Sequence, residues 1–143
     1  MIAWWQIILL TLYAGFQIMD ELHWYSSAGS AVFSGFITGL IMGDMATGLY
    51  IGGSMQLTIL GVGTFGGASR IDANSGTLIA TAFAVSSGMD PEQALAVLGV
   101  PVAAILVYTD IAGRFANTFF GHMCDADVEK MNWGAYNVHY WLG

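Results

Sequence analysis

The chain has 143 residues, 56% of them hydrophobic and 9% charged, with ten carboxylates against three basic residues and a net charge of −7. Soluble domains carry about 25% charged residues, so the deficit points to an integral membrane protein. Arg70, Arg114 and Lys130 are too few and too scattered for a nucleic-acid patch or a polybasic anchor to anionic lipid. One cysteine, Cys124, excludes an internal disulfide framework and a thiolate zinc site, and His23, His122 and His139 match no metal-ligand spacing.

Residues 2–19 form a first apolar segment with Trp4 and Trp5 placed as interfacial anchors. No basic residue precedes it, so it reads as a retained membrane segment and not a cleaved signal peptide. It ends at Asp20-Glu21, before a polar and aromatic patch, His23-Trp24-Tyr25. A second segment covers roughly 26–43. Asp44 then stands as the one formal charge in the 48 residues between Glu21 and Arg70.

Residues 45–68 carry Gly48, Gly52, Gly53, Gly61, Gly63, Gly66 and Gly67. In lipid such glycines either let backbones approach or mark a re-entrant segment beside a cavity. The pattern predicts a helix to about Gly61 and irregular backbone through Asn74. Residues 76–88 are apolar but short for a full span, which suits a re-entrant or tilted element. Asp90-Pro91-Glu92-Gln93 reads as a helix start, with Asp90 as cap and Pro91 in the first turn. That helix is expected to reach about Thr109 with a kink at Pro101.

Asp110 to Lys130 mixes charged and apolar residues and reads as an amphipathic helix, and Arg114 and Lys130 favour a cytoplasmic position for it. Residues 131–143 look like the start of a further, truncated membrane helix. The predicted fold is therefore all-α and integral to the membrane. It has about four transmembrane or re-entrant segments plus an amphipathic C-terminal helix. The division is 1–109 for the membrane domain, 110–130 for the amphipathic segment and 131–143 for the last helix.

Three constellations could carry function. Ala31, Gly35, Gly39 and Gly43 are spaced by four, which puts them on one helix face suited to close packing against another helix. Asp20, Glu21, Asp44, Gln56, Asp72 and Asn74 are polar groups within or beside apolar segments. Carboxylates and amides of this kind bind sugar hydroxyls in a low-dielectric cavity. They also serve as loop residues or, for Asp44, as the cap of a helix starting at Met45. Residues 66–76, with glycines flanking a polar core, suit either a ligand-approaching loop or an exposed turn. No nucleophile has a base at recognisable spacing and no DDxxD pair is present. The sequence supports binding within a membrane and implies no cofactor, no metal and no covalent chemistry.

These residues resemble a known family, the enzyme IIC subunits of the mannose–fructose–sorbose group of bacterial sugar phosphotransferase permeases. The resemblance rests on Asp20-Glu21, the run Gly43-Asp44-Met45-Ala46-Thr47-Gly48 followed by Gly52-Gly53, Gly61, Gly66-Gly67, Asp72 and Asn74. It continues through Phe120-Gly121-His122, Asp125, Lys130 and Asn132-Trp133. Gln56 stands where family members often carry glutamate. The resemblance implies a multi-pass protein of the bacterial inner membrane, in a hetero- or homo-oligomer. It would pair with a IID subunit and pass a hexose, hexosamine or sorbose inward for phosphorylation by IIB, itself charged through IIA. It implies no phosphoryl-carrying residue in this chain, and it makes Asp20, Glu21, Asp44, Gln56, Asp72 and Asn74 the substrate-binding candidates. Family members run to about twice this length, so the chain resembles an amino-terminal half. A non-transporting fragment or helix-packing scaffold is the alternative.

Overall fold

The computed structural model describes residues 2–24, 26–62 and 68–143, apart from the side chains of Glu21 and Leu22. Among these residues every regular element is helical. Helix α1 spans Trp4–Met19 and runs into a π-helical turn, Asp20–Trp24. Helix α2, Ala31–Met42, starts where the Ser30 hydroxyl accepts from the Phe33 amide at 3.3 Å. It stops at Gly43, whose φ of 90° lies in the left-handed region that favours glycine. The next residue, Asp44, caps α3, Met45–Ile59. Asp72 caps α4, Ala73–Ser87, by accepting from the Ser75 amide at 3.0 Å. A second left-handed glycine, Gly88, ends that helix.

Asp90 then caps α5, Pro91–Ala94, accepting from the Glu92 and Gln93 amides. The proline sits in the first turn, where its missing N–H costs nothing. A π-helical stretch, Leu95–Gly99, follows and leads without a break into α6, Val100–Glu129. The widened turn lies immediately before Pro101. There it takes up a ring that would otherwise meet the carbonyl one turn back. The helix expected to finish near Thr109 therefore continues for twenty more residues. Asn132 caps α7, Trp133–Leu142, accepting from the Ala135 amide at 3.3 Å.

The chain divides into two compact units, Met1–Val107 and Tyr108–Gly143. In the first, α1 lies antiparallel to α2. The Gln6 side-chain amide donates to the Ile41 carbonyl at 3.0 Å near one end, and Tyr13 Oη donates to the Ala28 carbonyl at 3.1 Å nearer the other. Helices α2 and α3 form a hairpin in which backbone touches backbone. A Cβ built at Gly35 would fall on the Gly48 carbonyl, and one at Gly48 on the Gly35 carbonyl. Helix α4 starts beside the start of α2 and runs in the same direction, joined there by the Ser34 hydroxyl donating to the Asn74 carbonyl at 2.9 Å. The polypeptide returns through α5 and the first turns of α6. Ala80 and Ala84 cluster with Ala94, a Cβ at Gly76 would meet the Gly99 carbonyl at 2.5 Å, and the Asp72 amide donates to the Ala103 carbonyl at 3.3 Å.

The core is built from small side chains and two larger ones, Ile51 and Met55, with Ala31, Ala73, Ala80, Ala84, Ala94 and Ala103 around them. The outward faces carry Trp4, Trp5, Ile8, Leu12, Phe16, Ile18, Leu40 and Leu57, an inversion of the soluble pattern that suits lipid. The run Pro91–Glu129 is long and apolar enough to cross a membrane. Trp4–Met19 and Ala31–Met42 are apolar but shorter, at roughly 24 and 18 Å against a hydrocarbon core of about 30 Å. Among the described residues three buried hydroxyls, those of Thr38, Thr77 and Thr81, have no hydrogen-bond partner. Each unpaired hydroxyl costs about 1–3 kcal/mol.

Of the four-spaced small residues, Ala31, Gly35 and Gly39 are buried and face α3. Gly43 does not share that role, because it terminates the helix and a Cβ there would meet nothing within 4 Å. A spacing of four cannot reveal that the helix has already ended. A Cβ at Gly52 would lie 2.7 Å from the Ala31 carbonyl and 3.1 Å from the Val32 Cα. Gly52→Ala is therefore expected to prise α2 from α3 and destabilise the protein by about 1–3 kcal/mol, the usual cost of overpacking. Gly53→Ala, one residue on with open space at its Cβ, should be neutral or stabilising. Thermal unfolding of both variants in detergent checks the contrast.

Candidate functional site

Several polar residues of the first unit converge on the connection between α1 and α2. Asp20, only 1% exposed, is past the last residue of α1 and folds that connection around its carboxylate. Oδ1 accepts from the Ser26 amide at 3.2 Å and from the Ser26 hydroxyl at 2.6 Å, while Oδ2 accepts from the Gly29 amide at 3.2 Å. The tight path puts Ser27 at φ 68°. These donors hold the Asp20 carboxyl below its ordinary range, the Ser26 hydroxyl contributing most and burial opposing.

Three side chains from other helices fasten the same loop. Tyr13 Oη donates to the Ala28 carbonyl and accepts from the Gln17 side chain, itself buried in α1. The side-chain amide of Asn74, at the start of α4, donates to the Gly29 carbonyl. Gln56, in the last turns of α3, accepts from the Ala31 amide at 3.1 Å through Oε1. That bond fixes the orientation of the Gln56 amide, since only its oxygen can accept. Nε2 is left to point elsewhere, and it donates to no group among the described residues. Asn74 Oδ1 likewise accepts from none. The cluster thus joins a fully engaged carboxylate to one free donor group and one free acceptor.

The structure therefore brings together Asp20, Gln56 and Asn74, with Asp72 two residues from Asn74 at the same end of α4. It separates Asp44, which lies at the far end of α2, roughly 18 Å away along the helix. There Asp44 caps α3, Oδ1 accepting from the Thr47 amide at 3.1 Å and Oδ2 from the Thr47 hydroxyl at 2.7 Å. The Thr47 hydroxyl, followed by its amide, holds this carboxyl below the usual range as well. Glu21 lies in the π-helical turn, and its side chain is outside the described residues, as are Gly66 and Gly67 of the glycine-flanked loop.

Sequence reasoning missed Tyr13, Gln17, Ser26, Gly29 and Ser34. Gln17 offered the same signal as Gln56, an amide in an apolar segment that needs partners. Ser26 and Gly29 offered none, because their role is set by contacts distant in the chain.

A family described as the PTS system sorbose-specific IIC component matches residues 4–143. The chain is 28% identical over 134 residues to the PTS system sorbose-specific EIIC component of Lacticaseibacillus casei, covering 91% of this chain and 47% of that relative. It is 32% identical over 98 residues to the putative N-acetylgalactosamine permease IIC component 2 of Escherichia coli K12, covering 68% of this chain and 73% of the relative. The PTS system mannose-specific EIIC component of the same strain is 27% identical over 116 residues, covering 81% and 42%. The chain thus spans about half the length of its sorbose and mannose relatives. No solved structure matches. With glycine-packed apolar helices and a match reaching from residue 4 to residue 143, the chain belongs to the sorbose-specific IIC component family of the phosphotransferase system.

Proposed function

We propose that the chain is a sugar-binding permease subunit, and that its sugar sits against the polar cluster formed by Asp20, Ser26, Gln56, Asp72 and Asn74. The observation that carries this reading is the pair of uncommitted groups, Gln56 Nε2 and Asn74 Oδ1, held in place by bonds from their other ends. A sugar hydroxyl donates once and accepts twice, so one fixed donor and one fixed acceptor fastened to the same loop suit it. Prior fixing of both amides lowers the entropy lost on binding. Asp20 does not touch the sugar in this scheme but sets the loop that positions both amides.

The remaining parts of the reading come from family membership. The sugar is a hexose, hexosamine or sorbose, moved inward across the bacterial inner membrane. Phosphorylation follows on the cytoplasmic side by a IIB component charged through IIA, and a IID subunit is the membrane partner. The helices of the first unit cross the bilayer several times or enter and leave it, in keeping with their short apolar lengths. Asp44, in this reading, is a structural cap.

Asn74→Ala and Gln56→Ala are expected to cut uptake of labelled mannose, sorbose or N-acetylgalactosamine at least about tenfold, the cost of roughly one to two hydrogen bonds. Membrane insertion, read by fractionation, should not change. Wild-type uptake in both variants would remove the cluster as the site. Gln56→Glu keeps an oxygen for the Ala31 amide but replaces the free donor with an acceptor. It should change the order of preference among those three sugars, which a competition assay measures.

A further inference from the structure

Two sets of helical threonines contrast in this protein. Thr11, Thr58 and Thr118 are exposed and return their hydroxyls to the carbonyl one turn back, at 2.8, 2.8 and 2.9 Å. That is the ordinary resting place for a helical threonine hydroxyl. Thr38, Thr77 and Thr81 are fully buried, and the Oγ1 of each has no partner among the described residues. An unpaired buried hydroxyl calls for an explanation, and three in one seam call for a common one.

Their places supply it. Ser34 and Thr38 are four apart on α2, while Asn74, Thr77 and Thr81 follow at intervals of three and four on α4. The two helices run in the same direction from their contact at Ser34 and Asn74. The three unpaired hydroxyls therefore continue from the polar cluster as a row about 10 Å long between α2 and α4. Beside the row, the face of α4 that carries Ala73, Gly76 and Ala80 packs on Gly99, Ala103 and the flexible Met55 thioether, whose methyl would lie 3.2 Å from a Cβ at Gly76.

We infer that the α2–α4 seam is a second hydroxyl-binding subsite, continuous with the polar cluster, which engages the hydroxyls of the sugar when the two helices part. This rests on the sugar-binding reading above. Each threonine offers one donor and two lone pairs, the same inventory as each hydroxyl of a sugar, so the row matches a polyol group for group. The closed seam leaves the three groups unpaired and is less stable than an apolar seam of the same shape. That lowers the cost of opening it.

The test uses membranes and cells that take up mannose, sorbose or N-acetylgalactosamine through this protein. Combined Thr38→Val, Thr77→Val and Thr81→Val substitution keeps side-chain shape and removes the hydroxyls. It should raise the melting temperature yet slow uptake at least tenfold; Thr→Ser at the three sites should restore uptake. In a Cys124→Ser background, Thr81→Cys should react with a small water-soluble thiol reagent, and the taken-up sugar should slow that reaction severalfold. Unchanged uptake in the valine variant, a lowered melting temperature, no labelling of Thr81→Cys, or labelling that sugar leaves untouched would each overturn the subsite. The last of these would mark the seam as a path for water alone. Failure of the wild-type protein to bind any of the three sugars, or binding untouched by Asn74→Ala, would instead overturn the functional reading on which the subsite rests.

Discussion

Contact between the backbones of α2 and α3 sets the distances on which the polar cluster depends. Gly35, Gly39, Gly48 and Gly52 leave no side chain between the two helices. Only at that separation can Gln56, on α3, reach the first amide of α2. In lipid there is little hydrophobic force to drive helices together, so close packing and hydrogen bonds must do it. The glycines supply the first and the cluster supplies the second. Each supports the other: a wider hairpin would lose the Gln56 bond, and an unfastened loop would free the start of α2.

Much of the fold was legible because its signals are local. The apolar runs and glycine spacing pointed to packed membrane helices, and Asp90-Pro91 announced a helix start that its own amides satisfy. Asp44 was open between cap and ligand, and the structure finds it bonded to Thr47 on both carboxylate oxygens. Gly43 fitted a periodic face but ends the helix, since period alone carries no information about where a helix stops. The charges after Thr109 suggested that the helix ends there, yet a change of polarity leaves helical periodicity intact, and α6 continues to Glu129.

The candidate site was legible only in part. Gln56 and Asn74 stood out as amides in or beside apolar segments, and burial without partners is costly enough to make such residues conspicuous. The loop they hold was invisible. Its shape comes from Asp20, Tyr13, Gln56 and Asn74 closing on residues 26–31 from three different stretches of chain. Nor could the sequence separate Asp44 from the others, because distance along a helix appears only once the hairpin direction is known. The buried threonines were hidden for the opposite reason: Thr38, Thr77 and Thr81 look like Thr11, Thr58 and Thr118 in sequence, and burial and hydroxyl pairing divide them.

The Gly43–Asp44 connection has a consequence for how the protein assembles. Two residues join α2 to α3, and the surfaces that meet carry almost no side-chain rotamers to freeze. Contacts so close in sequence form early and fast. The hairpin can therefore close as soon as both helices have left the ribosome, while Gly29 must wait for Asn74, 45 residues later, before the loop acquires its final bond. Assembly order thus places the scaffold before the site, and a chain interrupted between the two would hold a formed hairpin with an open loop.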